Sequence, residues 1–495
     1  MIGDIIKKEI LDNLLGHKFL FIFILCSVLI LVSVYIGSAD YVESKKEHDA
    51  NVAALNEGMQ PPATYIFFTE RLGYRIYKLP QVLRTVVAGV EDAAGRVSYP
   101  NIPYENNLSE SKHESNTIFT LFGSLDLMFA VKFILSLCAL FLAYDAVSGE
   151  KESGTLKLTL SNSVSRARLI SGKIIGNYVS MLLLFLAPLL MGLILLSVYP
   201  GVSLSGGDWQ RLSFILIMFL LYISVFFALG IFVSAMTTRA STSFLILLFL
   251  WIALVIVIPG ASVVIAEQVR PIPSSSLIAG EKALFEILEY NELSAEYTKK
   301  MNEEVMPKYN QRAMELQPMA KTDPDKYKEE MTKLSSAANE EMSKASLYVQ
   351  EETQSRVAAH NVEVNRDYQM KKDAQQGLAK NIARISPATA LTFGSMTLAR
   401  TGTDEYDRFL AATRSYKPIY RSWRLNNPDF YERDPVSGMP RMTNIDQSII
   451  PQLPFVPERI GELLMRTLPD FALMAAMTII LLTGAYFAFL RYDVR

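Results

Sequence analysis

Tyr144-Asp145-Ala146-Val147-Ser148-Gly149-Glu150-Lys151-Glu152-Ser153-Gly154-Thr155-Leu156-Lys157, and after it Val164-Ser165-Arg166-Ala167-Arg168-Leu169-Ile170-Ser171-Gly172-Lys173, form a charged segment between two apolar runs, 118–143 and 174–198. Apolar runs of about twenty residues match the hydrocarbon thickness of a bilayer. A short basic loop joining two of them belongs on the cytoplasmic side. Such a loop is placed to be gripped by a cytoplasmic partner, so the chain reads as the membrane half of a two-part machine.

Four further runs, 19–36, 212–236, 244–266 and 468–490, bring the spans to six. Lipid offers the backbone no hydrogen-bond partners, so each run is expected to be helical. The fold class is therefore an all-α membrane protein with six transmembrane helices and a large, mainly helical extracytoplasmic domain between the fifth and sixth. With six spans, Lys7, Lys8, Lys18, Lys151, Lys157, Arg166, Arg168, Lys173, Arg239, Arg491 and Arg495 all fall on one side, which puts both termini in the cytoplasm. The expected divisions are an amphipathic interfacial helix (1–18), two spans with an outer loop (19–143, the loop 37–117), a cytoplasmic loop (144–173), three spans (174–266), an outer domain (267–467) and a last span with its tail (468–495). The run 19–36 lacks an early small-residue cleavage site, Gly37-Ser38-Ala39 coming late, and reads as a retained span.

Composition excludes several classes. The net charge of −2 does not suit a nucleic-acid partner. Cys26 and Cys138 both lie inside apolar runs, as small packing residues do, and imply no disulfide framework. The four histidines, His17, His48, His113 and His360, are scattered, so no metal site is expected.

Before the first span, Ile2, Ile5, Ile6, Ile10 and Leu14 recur at helical spacing among Asp4, Lys7, Lys8 and Asp12. This is either an entry helix in the interface or a connecting helix that passes motion on from a cytoplasmic subunit. In the outer region, Leu284, Leu288, Leu293, Tyr297, Met301 and Val305 mark one helical pattern, and residues from Tyr327 to Leu378 mark a second. Asp323 suits an N-cap with Pro324 at the first helical position. An antiparallel hairpin projecting from the membrane is the simplest arrangement. Ser386-Pro387-Ala388-Thr389 opens another short helix, and 416–457 reads as ordered loop. Asn107-Leu108-Ser109 is a sequon by pattern alone.

These motifs together resemble the ABC-2 family of exporter permeases. The resemblance is carried by Asp145, Gly149, Glu150, Glu152, Gly154, Thr155, Leu156, Lys157, Leu158, Ser161, Val164, Ser165, Arg166, Gly172 and Lys173, and covers all six spans. The long insert, with Ile385-Ser386-Pro387-Ala388 and 404–410, is similar to the branch carrying the DUF3526 region. The layout is also similar to permeases of nitrous-oxide-reductase maturation transporters, from which this chain departs by its larger outer domain. The resemblance implies a coupling helix in the second–third loop that inserts into a separate ATPase subunit, with Asp145, Gly149, Glu150, Glu152, Gly154, Thr155, Leu156, Ser165, Arg166 and Arg168 as coupling residues. Physically, Gly149 and Gly154 permit tight turns, Glu150 and Glu152 suit a helix start, and Arg166 and Arg168 can pair with partner carboxylates. The rival reading is a solvated loop that merely obeys the charge rule.

The chain itself is expected to bind no cofactor. Gly172-Lys173 lacks the upstream Gly of a phosphate loop, and Ile174 stands where Ser or Thr would hold magnesium, so ATP and magnesium belong to the partner ATPase. Asp126 and Lys132 are an intramembrane polar candidate, although six residues of helix put them on different faces. Pro188 is expected to kink the third span and Pro259-Gly260 to break the fifth, while Tyr144 and Tyr199 suit interfacial anchors. Acidic pairs such as Glu303-Glu304 and Glu351-Glu352 read as solvated faces.

The expected function is thus the permease subunit of an ATP-driven exporter in a bacterial inner membrane. Its expected partners are two copies of an ATPase, a second permease (itself or a sister chain), membrane lipid and a periplasmic protein. The alternative is a mechanotransmission complex that drives a periplasmic partner with no substrate crossing the bilayer. An intramembrane enzyme would require Asp126, Lys132 and Asp470 to converge.

Overall fold

The computed structural model describes residues 2–58, 75–99, 108–109, 125–161, 165–426, 432–433, 440–441 and 450–492. Six helices among them are long and apolar enough to cross a membrane: His17–Glu57, Leu127–Glu152, Arg166–Val198, Gly206–Met236, Ala240–Val269 and Ile460–Leu490. Among the described residues, strand is confined to two short antiparallel pairs, Ile76–Tyr77 with Val97–Ser98 and Glu432–Arg433 with Pro440–Arg441. The all-α, six-span reading holds, with a helical region between the fifth and sixth spans.

Several boundaries differ from expectation. The first span does not give way to loop at Gly37; its helix runs His17–Gly58. Gly37 serves approach rather than a turn, since a Cβ there would lie 2.2 Å from the Thr85 carbonyl oxygen on the short turn Val82–Thr85. Beyond it Arg84 holds the extension, pairing with Asp40 and donating to Ser44 Oγ at 3.1 Å. The second helix begins at Leu127, capped by Asp126, whose Oδ1 accepts the Phe129 N–H at 2.7 Å. Lys132 therefore lies five residues inside one end rather than near the middle, and residues 118–124 of the expected run lie outside the described residues.

Pro259-Gly260 does not break the fifth helix. A π-helical turn, Ala253–Val257, precedes it and the chain stays helical over Ile258–Val269. A widened turn absorbs the proline ring, and carbonyls short of a donor are satisfied from neighbours. Ser386 Oγ supplies one such donor, to the Leu254 carbonyl.

The stretch 267–467, expected as one outer domain, is divided. The chain forms two compact units, Met1–Gly260 with Ala383–Arg495, and Ala261–Ile382. Helix Pro387–Ala399 begins as read, with Ser386 Oγ accepting the Ala388 N–H at 3.1 Å, but it packs in the first unit against the fourth and sixth spans. Its Ala388, Ala390, Leu391, Leu398 and Ala399 join the core cluster of the bundle. At 13 residues it is too short to register as a span, so its small apolar composition went uncounted.

In the second unit, Ser275–Lys300 runs against a 60-residue helix, Pro324–Ala383, and Met306–Leu316 continues the first arm after a π-helical turn, Met301–Val305. Asp323 caps that helix as read, accepting the Lys326 N–H at 3.2 Å. Arg356 to Glu289 (2.7 Å), His360 stacked on Phe285 (ring centroids 3.8 Å apart) and Tyr348 tilted against Tyr297 (4.8 Å) pair rising numbers with falling ones, which makes the hairpin antiparallel.

Candidate functional site

The loop between the second and third spans is two short helices, Ser148–Glu152 and Thr155–Ser161. Gly154 between them has φ +77°, a left-handed turn that glycine makes without strain. Leu156, 1% exposed, anchors the loop from below, among Val147, Leu169, Ile170 and Phe489. Val164 lies outside the described residues.

The charges of this loop are spent on helix ends. Lys151 Nζ donates to the carbonyls of Ala235 and of Thr237 (3.0 Å), the last turn of the fourth span, and lies 4.6 Å from the Tyr492 ring centroid. Arg166 donates to the carbonyls of Leu490 (3.2 Å) and Tyr492 (3.0 Å) at the end of the sixth. Glu152 accepts the Ala240 N–H at 2.9 Å, the first turn of the fifth. Cations on C-terminal carbonyls and a carboxylate on an N-terminal N–H are the arrangement that helix dipoles favour. The backbone N–H groups of Val147 and Ser148 both donate to Ser234 Oγ, at 3.0 and 2.9 Å. Asp145 pairs with Lys18 at the start of the first span, and Lys18 also lies 4.8 Å from the Tyr144 ring. One loop is thereby fastened to the ends of the first, fourth, fifth and sixth spans.

The third span and the N-terminal helix complete the knot. Lys173, 3% exposed, donates to Glu150 of the loop (2.7 Å) and to Glu9 of helix Ile2–Leu14 (2.9 Å). Asn177 donates to Glu9 Oε2 at 3.1 Å, and Asn13 donates to Asn177 (2.9 Å) and Ser180 (3.3 Å). The two helices meet closely because Gly172 and Gly176 carry no side chain. A Cβ on Gly172 would lie 2.6 Å from Ile5 Cγ2, and one on Gly176 2.7 Å from Glu9 Cβ. Small residues one turn apart let helices approach, and polar residues then bond across. The N-terminal helix thus turns its Ile5–Ile6–Glu9–Asn13 face to the third span.

The structure brings Asp145, Gly149, Glu150, Glu152, Gly154, Thr155, Leu156, Ser165, Arg166 and Arg168 into one region. Ser165 is the N-cap position of the third span without a side-chain cap bond, and Arg168 is exposed with no ion pair among the described residues. Arg166 was expected to meet partner carboxylates; its guanidinium is held by carbonyls of this chain instead. Sequence reading passed over Glu9, Asn13, Asn177 and Ser234, and left Lys173 out of the coupling set. The spacing Gly172–Gly176 with Asn177 and Ser180 beside it was the signal that could have found the first three.

Asp126 and Lys132 form no ion pair among the described residues. Asp126 Oδ2 accepts the Ala88 N–H at 2.8 Å, which makes it a pin for the segment before the second span. Lys132 lies 5.1 Å from the Phe133 ring within a π-helical turn, and its carbonyl accepts from Tyr222 (2.8 Å) and Ser136 (2.7 Å). Asp470 pairs with Arg384 at 3.2 Å. The three groups do not assemble.

Among curated proteins, the chain is similar to the probable ABC transporter permease protein NosY of Pseudomonas aeruginosa, 49% identical over 45 residues. It is similar also to that of Stutzerimonas stutzeri, 47% identical over 45 residues. Each match covers 9% of this chain and 16% of the relative. The profile of the family described as ABC-2 family transporter protein matches residues 4–494. A six-span helical chain matched along almost its whole length is a multi-pass membrane protein, and it belongs to the ABC-2 transporter family.

Proposed function

We propose that the chain is the permease subunit of an ATP-driven exporter in a bacterial inner membrane. ATP and magnesium are handled by two copies of a separate ATPase, and the membrane unit is a dimer of this chain with itself or a sister permease. The observation that carries this reading is the Lys173 knot. The second–third loop and the N-terminal helix hold the same buried cation, so a push on either reaches the third span, while the loop's other bonds reach the remaining bundle. The basic residues around the loop, from Lys7 to Arg491, support a cytoplasmic position for this end and for both termini.

The docking ridge is the solvent side of Thr155–Ser161 with Arg168. Leu158 is 69% exposed there beside exposed Lys157. Leu158→Arg and Arg168→Glu leave every bond described above in place. In detergent-solubilised membranes, wild type should co-purify with an ATPase subunit and the double variant should lose it, both with the same melting temperature. Absence of an ATPase from the wild-type eluate would leave the coupling role without support.

A second reading, force transmission to a periplasmic protein, is favoured by the helix His17–Gly58, which runs unbroken for 42 residues, about 63 Å at 1.5 Å per residue. Inserting Gly-Gly after Ala50 separates the two. Export by the complex in liposomes survives the insertion, whereas a force-transmitting complex hydrolyses ATP and no longer acts on its periplasmic partner.

A further inference from the structure

At the end of the bundle opposite the loop, the segment around Val82–Ser98 meets the turn that follows helix Pro387–Ala399. Val90 donates to the Thr401 carbonyl at 2.9 Å, and a Cβ on Gly89 would lie 2.2 Å from the same oxygen. Beside this junction is a narrow cleft of about 20 Å³, lined among others by Lys78, Glu91, Arg96, Arg400, Thr401 and Tyr406.

Most charges here are already matched. Lys78 pairs with Glu91 at 2.9 Å, Arg96 with Asp92 at 2.8 Å, and the buried Arg84 with Asp92 at 2.7 Å and with Asp40. Arg400 is the exception. It donates to the Glu458 carbonyl but makes no ion pair among the described residues, and its Nε is buried without a hydrogen-bond partner. Burial and the neighbouring Arg211 hold its guanidinium below the usual range. The next residue, Thr401, is 1% exposed and its Oγ1 likewise has no hydrogen-bond partner among the described residues.

The backbone adds a separate observation. Arg400 has φ 59°, the only positive φ at a non-glycine residue among those described. Glycine or asparagine would end a helix this way at less cost, and strained positions kept in a fold cluster at ligand clamps. An arginine here trades backbone comfort for a charge at the cleft.

We propose that this cleft binds a small oxyanion, the carboxylate or phosphate of a soluble molecule or of a lipid headgroup, with Arg400 as its counter-charge and the Thr401 hydroxyl as a second partner. A cleft of this size has room for little more than a water, so only the oxygen atoms of such a group enter it, the rest staying at its mouth. Neither an ATPase nor a particular cargo is needed for binding, so the test stands apart from the exporter reading.

The full-length chain in phosphatidylcholine nanodiscs is titrated calorimetrically with inorganic phosphate and with succinate at constant ionic strength. A parallel arm compares melting in phosphatidylglycerol and phosphatidylcholine nanodiscs. A soluble source gives saturable binding in the first arm; a headgroup source gives stabilisation by phosphatidylglycerol in the second. Arg400→Asn suits the left-handed backbone while removing the charge, so its unliganded melting temperature should not fall. Its binding should weaken about tenfold or more, as loss of a hydrogen bond to a charged group predicts. No saturable binding and no phosphatidylglycerol effect in wild type would overturn the proposal, as would an unchanged response in Arg400→Asn. Should Arg400→Asn melt early, Thr401→Val decides, because it removes only the orphaned hydroxyl; unchanged affinity in that variant refutes the site.

Discussion

Lys173 offers the sharpest quantitative test of the knot. It is 3% exposed and lies between Glu9 at 2.9 Å and Glu150 at 2.7 Å, two carboxylates that repel each other through the cation they share. Replacing either acid by its amide leaves the lysine paired and relieves that repulsion. Each of Glu9→Gln and Glu150→Gln should therefore cost only about 1 kcal/mol, the net worth of one hydrogen bond. The double variant leaves a buried ammonium without a counter-charge, a loss of ~3–5 kcal/mol. The pair should thus be non-additive by ~1–3 kcal/mol, near the top of what neighbouring residues show. Adding Lys173→Met to the double variant removes the stranded charge and should recover most of the loss. The assay is equilibrium unfolding of the purified protein in mixed micelles, wild type beside the two single, the double and the triple variants. Losses that add to within ~0.5 kcal/mol, or a triple variant no better than the double, would mean that Lys173 is not the shared partner of loop and N-terminal helix.

Gly176→Leu should lift the N-terminal helix from the third span, because its Cβ alone would fall 2.7 Å from Glu9 Cβ; overpacking of this kind costs ~1–3 kcal/mol, and faster proteolysis within residues 2–14 reports it. Lys132→Met should stabilise the protein by at most ~2.5 kcal/mol and so raise the melting temperature, since it removes from an apolar helix a cation with no ion pair among the described residues; a fall would reveal a carboxylate partner. Asp126→Ala should cost ~1–2 kcal/mol, having removed both the helix cap and the acceptor for Ala88. The Glu405 carboxyl is raised by burial, so its contribution is full below its unfolded-state pKa and is lost as pH rises through the higher folded value. The stability of wild type minus that of Glu405→Gln should therefore fall between acid and neutral pH, and a flat difference would contradict that placement.

The spans were legible because lipid imposes a length and an apolar composition that few other environments demand. Where the structure departs from expectation, the missing information is three-dimensional. Hydropathy marks where the first helix leaves the apolar zone, after Ile36, but the helix continues past that point to Gly58, with Arg84, remote in sequence, holding Asp40 and Ser44 on the way. Pro259 reads as a break until a π-helical turn and the Ser386 hydroxyl supply what the proline withholds. Pro387–Ala399 lacks the length of a span, so nothing in its sequence shows that it lies between the fourth and sixth spans. Among the loop residues, the glycines and Leu156 were readable from local chemistry. The destinations of Lys151, Glu152 and Arg166 were not, because a backbone carbonyl at another helix's end leaves no mark in the sequence.

Those destinations bear on how the loop could work. A loop that met its partner through all its charges would be soft, since each ion pair at the surface is worth little and is screened. Here Lys151, Glu152 and Arg166 are bonded to helix ends and Glu150 to Lys173, while the exposed ridge is left to Leu158, Lys157 and Arg168. The inward set makes the loop stiff relative to the bundle, so displacement is passed on rather than absorbed locally. On the proposed reading, stiffness and docking fall to different residues. Inward substitutions such as Glu152→Gln should reduce transmission while an ATPase remains bound, whereas outward ones should abolish binding while stability is kept. ATPase co-purification measured beside nucleotide-driven change in the spans separates the two classes, and a loop in which both kinds of substitution had the same effect would not be built this way.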